Sequence, residues 1–253
     1  MVTGQISKKG RINNDIYRQL GERWYTAQDD PIALLRAESR ARNPWITGKI
    51  RQAFPSGEVK VLDIGCGGGF LSNYLTNAGF TVVGLDASKE SLLIAQRYDV
   101  RGCASYVMGD AFHLPCAGGE FQAACVMDFL EHVDEPGVVL AEAARTLQPG
   151  GLLFFATFNR NLISWLFIIK SVEWFVRNTP PRLHELSHFI KPAELHELCE
   201  VSGLRIIELR GFAPRFNRTF WRMLLTGVVT DDFAFRFSNI TLAGYIGVAV
   251  KNK

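Results

Sequence analysis

From about residue 59 onward, short apolar runs rich in β-branched residues alternate with longer stretches of mixed, helix-like pattern. The runs at 59–64, 81–85, 104–108, 122–127 and 152–156 predict five strands, and the stretches at 70–79, 89–98 and 136–146 predict the helices between them. Strand, helix and strand in succession is the pattern of βαβ units, because parallel strands need a long crossover to return the chain to the same edge. Runs at 204–210 and 240–250 complete a sheet of seven, mostly parallel, with an antiparallel last strand and helices on both faces. The expected organisation is one α/β domain over 1–253, with 1–55, rich in Arg and Trp, as a helical cover. Residues 159–195 form an inserted cover whose aromatic content does not suit a simple connection.

Composition narrows the class. The chain has 253 residues, 47% hydrophobic and 21% charged, far from the polar, highly charged regime of disordered chains. A net charge of +3 is too small to impose nucleic-acid binding on the whole surface. The five cysteines, at 66, 103, 116, 125 and 199, form no CxxC pair and are odd in number, which argues against a closed disulfide set and for a reducing cytoplasm. Residues 1–15 have a basic start with no apolar core behind it, unlike a secretory signal. No stretch reaches the ~18 apolar residues of a spanning helix, so a soluble or peripheral protein is expected.

The chemistry begins at Asp63-Ile-Gly-Cys-Gly-Gly-Gly69, where the first strand gives way to a helix. Gly65 and Gly67 permit a tight turn and close backbone approach, and the amides at the helix start can receive a polar ligand group. Asp86 ends the second strand, where a carboxylate can take both ribose hydroxyls of a nucleoside. Asp63 beside the loop would repel a pyrophosphate but could hold an ammonium group, which argues against a dinucleotide.

This combination resembles the class I S-adenosylmethionine methyltransferases, whose cofactor carries an amino acid end and no phosphate. The resemblance implies a Rossmann-like doubly wound sheet, with Asp63, Gly65, Gly67, Asp86 and Ala87 in the cofactor site. Gly109-Asp110-Ala111 stands where that family places an acid near the adenine amine, and Leu147-Gln-Pro-Gly-Gly-Leu152 matches the turn before its fifth strand.

Three further stretches sharpen the likeness: Val61 to Gly69, Met127-Asp-Phe-Leu-Glu-His-Val133, and Thr157-Phe-Asn-Arg-Asn161 running on to Phe189-Ile-Lys-Pro-Ala-Glu-Leu195. Together they are similar to the ubiquinone-biosynthesis O-methyltransferases, which act on polyprenylated, catechol-like quinone precursors. The similarity implies Arg42 on the cofactor carboxylate, with Arg36 and Arg40 as competitors, and Met127 in the adenosine pocket. Asp128, Glu131 and His132 share one face if the chain turns helical there. They could then hold a divalent cation such as Mg that lowers a phenol's pKa. The family has Glu where this chain has Asp128. Without a metal, His132 is the general base.

Residues 162–177 read as an amphipathic helix suited either to the inner face of a membrane or to a lid over the site. A second aromatic and basic stretch, 212–225, could cover the substrate pocket or touch anionic headgroups. No nucleic-acid partner is expected, because Met127-Asp-Phe-Leu130 lacks the Asn/Asp-Pro-Pro-aromatic pattern of base-modifying methyltransferases. Arg182-Leu-His-Glu-Leu186 departs from the family and keeps only its His and an acid. The expected partner is a small hydrophobic phenol, either a quinone precursor or another lipid-like or polyketide phenol. An inactive cofactor-binding module is the rival from another class.

Overall fold

The structure, a computed structural model, describes Asn14 and residues 16–252; the rest of the basic opening stretch lies outside the described residues. Eight strands form one sheet: β1 (Lys60–Ile64), β2 (Thr81–Asp86), β3 (Ser105–Met108), β4 (Phe121–Met127), β5 (Leu147–Phe158), β6 (Leu204–Pro214), β7 (Phe235–Ser238) and β8 (Gly244–Lys251). Their order is β3-β2-β1-β4-β5-β8-β6-β7. The first five pair in parallel, and β8 runs antiparallel to both β5 and β6.

The expected seven strands become eight because Phe235–Ser238, ahead of the 240–250 run, forms a strand of its own, and that run gives one strand that starts later than expected. The Ser238 hydroxyl accepts from the Ile240 amide (3.2 Å) and donates to the Ile240 carbonyl (3.1 Å), closing a local turn that delays β8 to Gly244. The short Phe-Arg-Phe-Ser strand β7 then pairs with the end of β6, its Phe235 ring stacked on Phe212 at 5.4 Å. The Gln148-Pro-Gly-Gly151 turn lies inside β5 as a bulge, because Phe121 pairs with Leu147 and Ala123 with Leu152.

Both faces of the sheet are covered, which is why the strands read as continuous apolar runs. On one face Leu62, Ile64, Val126 and Phe155 pack on α4 (Pro136–Thr146) and α5 (Pro192–Val201). On the other, Val61, Cys125 and Phe154 meet Ile46 and Ile50 of α1 (Pro31–Ala53) and Leu71 and Leu75 of α2 (Phe70–Asn77). Phe154 and Phe155 are adjacent, point to opposite faces and are fully buried. Truncating either to Ala would cost about 3–5 kcal/mol.

Capping fixes where two of the helices begin. Asp30 accepts from the Ile32 amide ahead of Pro31 at the start of α1, and Ser88 accepts from the Ser91 amide to start α3 (Lys89–Arg97). The segment ahead of α1 forms two single helical turns, Ile16–Gln19 and Arg23–Thr26. After β5, residues 162–175 are helical through a π-helical turn, Trp165–Lys170, and α6 (Arg218–Thr226) lies between β6 and β7. No helix among the described residues is long and apolar enough to cross a membrane.

Candidate functional site

A cavity of about 1050 Å³ opens above the C-terminal ends of β1, β2 and β4, walled by α1, the 14–26 segment, the 162–175 helical stretch and α6. The loop after β1 is positioned as its glycines predict. Gly65, Gly67 and Gly69 have φ of 71°, 52° and 81°. A Cβ on Gly65 would lie 2.2 Å from the Phe129 ring, and one on Gly67 2.6 Å from Trp24. The Leu85 carbonyl accepts from the amides of Gly65 (2.8 Å) and Cys66 (3.0 Å). Asp86 fixes the rest: its Oδ2 accepts from the Gly67 amide (2.9 Å) and its Oδ1 from Ser88 (2.8 Å). One carboxylate therefore shapes the loop and faces the cavity, beside Ala87.

Asp63 is buried under the loop, where its carboxylate accepts from the Ser72 hydroxyl at 2.6 Å. Burial pushes its pKa up to about 6, with that hydrogen bond opposing the rise. Asp110 is exposed at the cavity rim beside Ala111, and the amide hydrogen bond from Phe112 holds its carboxyl below the usual range. Met127 lines the wall at the end of β4. All nine residues expected at the cofactor line this one cavity.

The three competing arginines separate cleanly. Arg36 donates to the carbonyls of Trp24 and Ala27, and Arg40 to that of Phe233. Of the three, Arg42 alone lines the cavity, buried on α1 and ion-paired with Asp128. Its Nη1 meets Asp128 and lies 3.8 Å from Glu38, whereas its buried Nε has no hydrogen-bond partner, as expected of a guanidinium that can still face a ligand carboxylate. With the strained glycine loop and the two acids, these atoms fit an S-adenosylmethionine molecule.

The expected cation site does not form. Asp128 turns the chain with a φ of 51°, and the following Leu130–His132 is a single 3₁₀ turn, so the helical spacing that would align three ligands is lost. Asp128 is taken by Arg42. Glu131 is buried away from the cavity and accepts from the Thr157 hydroxyl at 2.8 Å. Burial and then the nearby Asp128 raise its pKa, so it resists ionisation. Among the described residues no group of three His, Cys, Asp or Glu is placed to hold a metal ion.

His132 does face the cavity. Its Nε2 lies 3.5 Å from the Tyr17 hydroxyl, and its Nδ1 is buried without a partner. Burial pushes its pKa down to about 4, which keeps the imidazole neutral. The sequence reading missed Tyr17, Trp24 and Glu38, which also line the site. The signal was the cluster of aromatics ahead of α1, read as a cover and in fact part of the wall.

Comparison with known proteins decides the family. Residues 62–155 match the family model described as "Methyltransferase domain". A ubiquinone biosynthesis O-methyltransferase of Thiobacillus denitrificans is 34% identical over 198 residues, 77% of this chain and 83% of its own. One of Bordetella avium is 33% identical over 225 residues, 83% of this chain and 89% of its own. The chain belongs to the ubiquinone biosynthesis O-methyltransferase family. It is therefore an S-adenosylmethionine-dependent methyltransferase with the class I Rossmann-like fold. The fold recurs in the magnesium protoporphyrin IX methyltransferase of Synechocystis PCC 6803 with bound SAH, at a TM-score of 0.63 and 17% identity over 94% of both chains.

The far half of the cavity differs in character from the cofactor half. Beyond His132 the lining turns apolar, with Phe167, Val172 and Phe175 from the helical stretch after β5 facing Met223, Leu224 and Phe233 from α6 and the loop after it. His184 stands at the same junction, its ring centroid 5.4 Å from that of His132.

Proposed function

We propose that this methyltransferase methylates a phenolic oxygen on an aromatic ring that carries a long apolar substituent, in the manner of a polyprenylated quinone precursor. The observation that carries the reading is the polarity of the cavity. The glycine loop and Asp86 lie at one end, an aliphatic and aromatic half at the other, and a neutral imidazole between them.

When bound, S-adenosylmethionine supplies an activated sulfonium methyl, so the protein's tasks are alignment, exclusion of water and removal of one proton. Arg42 and the glycine loop over Asp63 hold the amino acid end, Asp86 and Ala87 the ribose, and Asp110, Ala111 and Met127 the adenine side. His132 takes the phenolic proton. The apolar half holds the substituent and keeps water from the reacting oxygen.

The elements that wall this half also carry Leu162, Trp165, Phe167, Trp174, Trp221 and Leu225, all exposed, of which Phe167, Trp174 and Trp221 line the cavity as well. Leu162 is 79% and Leu225 87% exposed. Lys170, Arg218 and Arg222 stand nearby in sequence. An apolar face mixed with cations is suited to an anionic bilayer surface, from which a hydrophobic acceptor could enter.

Mass spectrometry of a lipid extract incubated with the enzyme and methyl-labelled cofactor tests the reading. A labelled methoxy group on a prenylated phenol supports it. Label on a phenol without an apolar chain moves the substrate class, and no label in any product favours an inactive binding module.

A further inference from the structure

His184 is a polar side chain of this cavity for which cofactor binding and proton removal leave no task. It lies between Leu183, buried, and Glu185, in the connection that leads to the 3₁₀ turn Leu186–His188. Three rings fix its position: Phe158 edge-on at 5.3 Å, Phe189 at 6.0 Å, and His132 tilted by 44° at 5.4 Å. Among the described residues it makes ring contacts and no hydrogen bond, so its polar atoms are left to whatever occupies the cavity.

Its neighbour shows the same pattern, since the His132 Nδ1 is also without a partner. Two imidazoles, each with an unclaimed polar edge, therefore meet at the boundary between the nucleoside half and the apolar half. The two rings, tilted by 44° with centroids 5.4 Å apart, make no hydrogen bond to each other, which leaves each free to address a separate oxygen of one aromatic ring. Adjacent ring oxygens are close enough for such a pair to grip both.

We propose that His184 is a specificity-determining residue, which hydrogen-bonds the second oxygen of an acceptor bearing oxygens on neighbouring ring carbons while His132 serves the oxygen to be methylated. The inference rests on the phenol reading above and adds the reader of the second hydroxyl. In the step itself the acceptor O–H bond breaks and an O–CH₃ bond forms. The sulfonium becomes a thioether, and the displaced proton rests on His132. His184 exchanges no atoms. It orients the ring so that the correct oxygen meets the methyl, and its polar edge is left unmatched in the cavity when the second oxygen is missing. A site built to hydrogen-bond a hydroxyl rejects the analogue that lacks it for that reason.

The test uses two acceptors, a farnesylated catechol and the farnesylated phenol without the second hydroxyl, with wild type, His184→Phe, His184→Leu and His184→Gln. Cofactor titration on each variant checks that the nucleoside half is intact. Wild type should prefer the catechol by about tenfold or more in kcat/KM. His184→Phe, which keeps the contacts with Phe158 and Phe189, should remove most of that preference through a raised KM for the catechol. His184→Leu should do the same, and His184→Gln, which restores a donor and an acceptor, should recover part of it. Equal losses for both acceptors, a loss confined to kcat, or no preference in wild type would each overturn the assignment of His184 while leaving the phenol reading in place. A wild-type enzyme that methylates neither acceptor overturns both.

Discussion

The Arg42 guanidinium and the Asp128 carboxylate form a buried ion pair that ties α1 to the end of β4 across the floor of the cofactor cavity. Asp128 reaches it only because the backbone there is left-handed, a conformation that costs a non-glycine residue of order 1–3 kcal/mol. Glu38, one helical turn away on α1, stands 3.8 Å from the same guanidinium. The arginine is thus flanked by acids and still has nitrogens to spare.

Removing one partner of such a pair leaves the other charge buried. Arg42→Met should destabilise the fold by about 3–5 kcal/mol and weaken cofactor binding. Arg42→Met with Asp128→Asn, which removes the charge and tolerates the left-handed backbone, should recover part of the stability and none of the affinity. Urea unfolding and calorimetric titration of the two variants separate these effects.

The glycine loop gives a controlled comparison. Gly65 and Gly79 both have positive φ, but a Cβ at Gly65 strikes the Phe129 ring, whereas Gly79 has open space around it. Gly65→Ala should abolish measurable cofactor binding and lower Tm by several degrees. Gly79→Ala should cost about 1 kcal/mol and leave affinity unchanged. Equal effects would mean that backbone strain alone matters and that the close approach is incidental.

Much of this was legible beforehand. Val61, Leu62 and Ile64 announced a doubly buried strand, and the loop from Asp63 to Gly69 with Asp86 announced the ligand end, because those features depend on local spacing. The Asp128, Glu131 and His132 cluster misled because helical spacing was assumed where one left-handed residue redirects the chain. Strand β7 was missed because four residues become a strand only against Phe212. The parts played by Tyr17 and His184 depend on long-range packing that no local pattern encodes.

The neutral state of His132 has a stability consequence with a definite sign. Its pKa, about 4 when folded, lies below the unfolded value near 6.5, so between those limits the unfolded chain binds the proton more readily. Stability is therefore lost as pH falls from about 6.5 to 4. His132→Asn removes the group, and relative to wild type it should gain about 2 kcal/mol over that interval. The difference should be constant above pH 7. Unfolding curves at pH 7, 5.5 and 4.5 check this, and a difference that does not move with pH would place His132 in water.

The proposed membrane face is open to a direct assay. Trp165 and Phe167 are both exposed on the helical stretch after β5. Vesicles containing anionic lipid should retain wild type on flotation, and Trp165→Glu with Phe167→Glu should release it without changing cofactor affinity. If wild type does not float with the vesicles, the stretch serves only as a lid.

The account turns on methyl transfer to a phenolic oxygen with His132 as base, and the rate of labelled-methyl transfer to a prenylated catechol by wild type and His132→Ala measures it. A positioned general base contributes about 10²–10⁴-fold, so the variant should lose activity on that scale while binding cofactor as wild type does. Transfer by wild type to oxygen, and a variant slowed a hundredfold or more, is the predicted result; a variant that turns over at the wild-type rate, or label arriving on carbon or nitrogen, would contradict it.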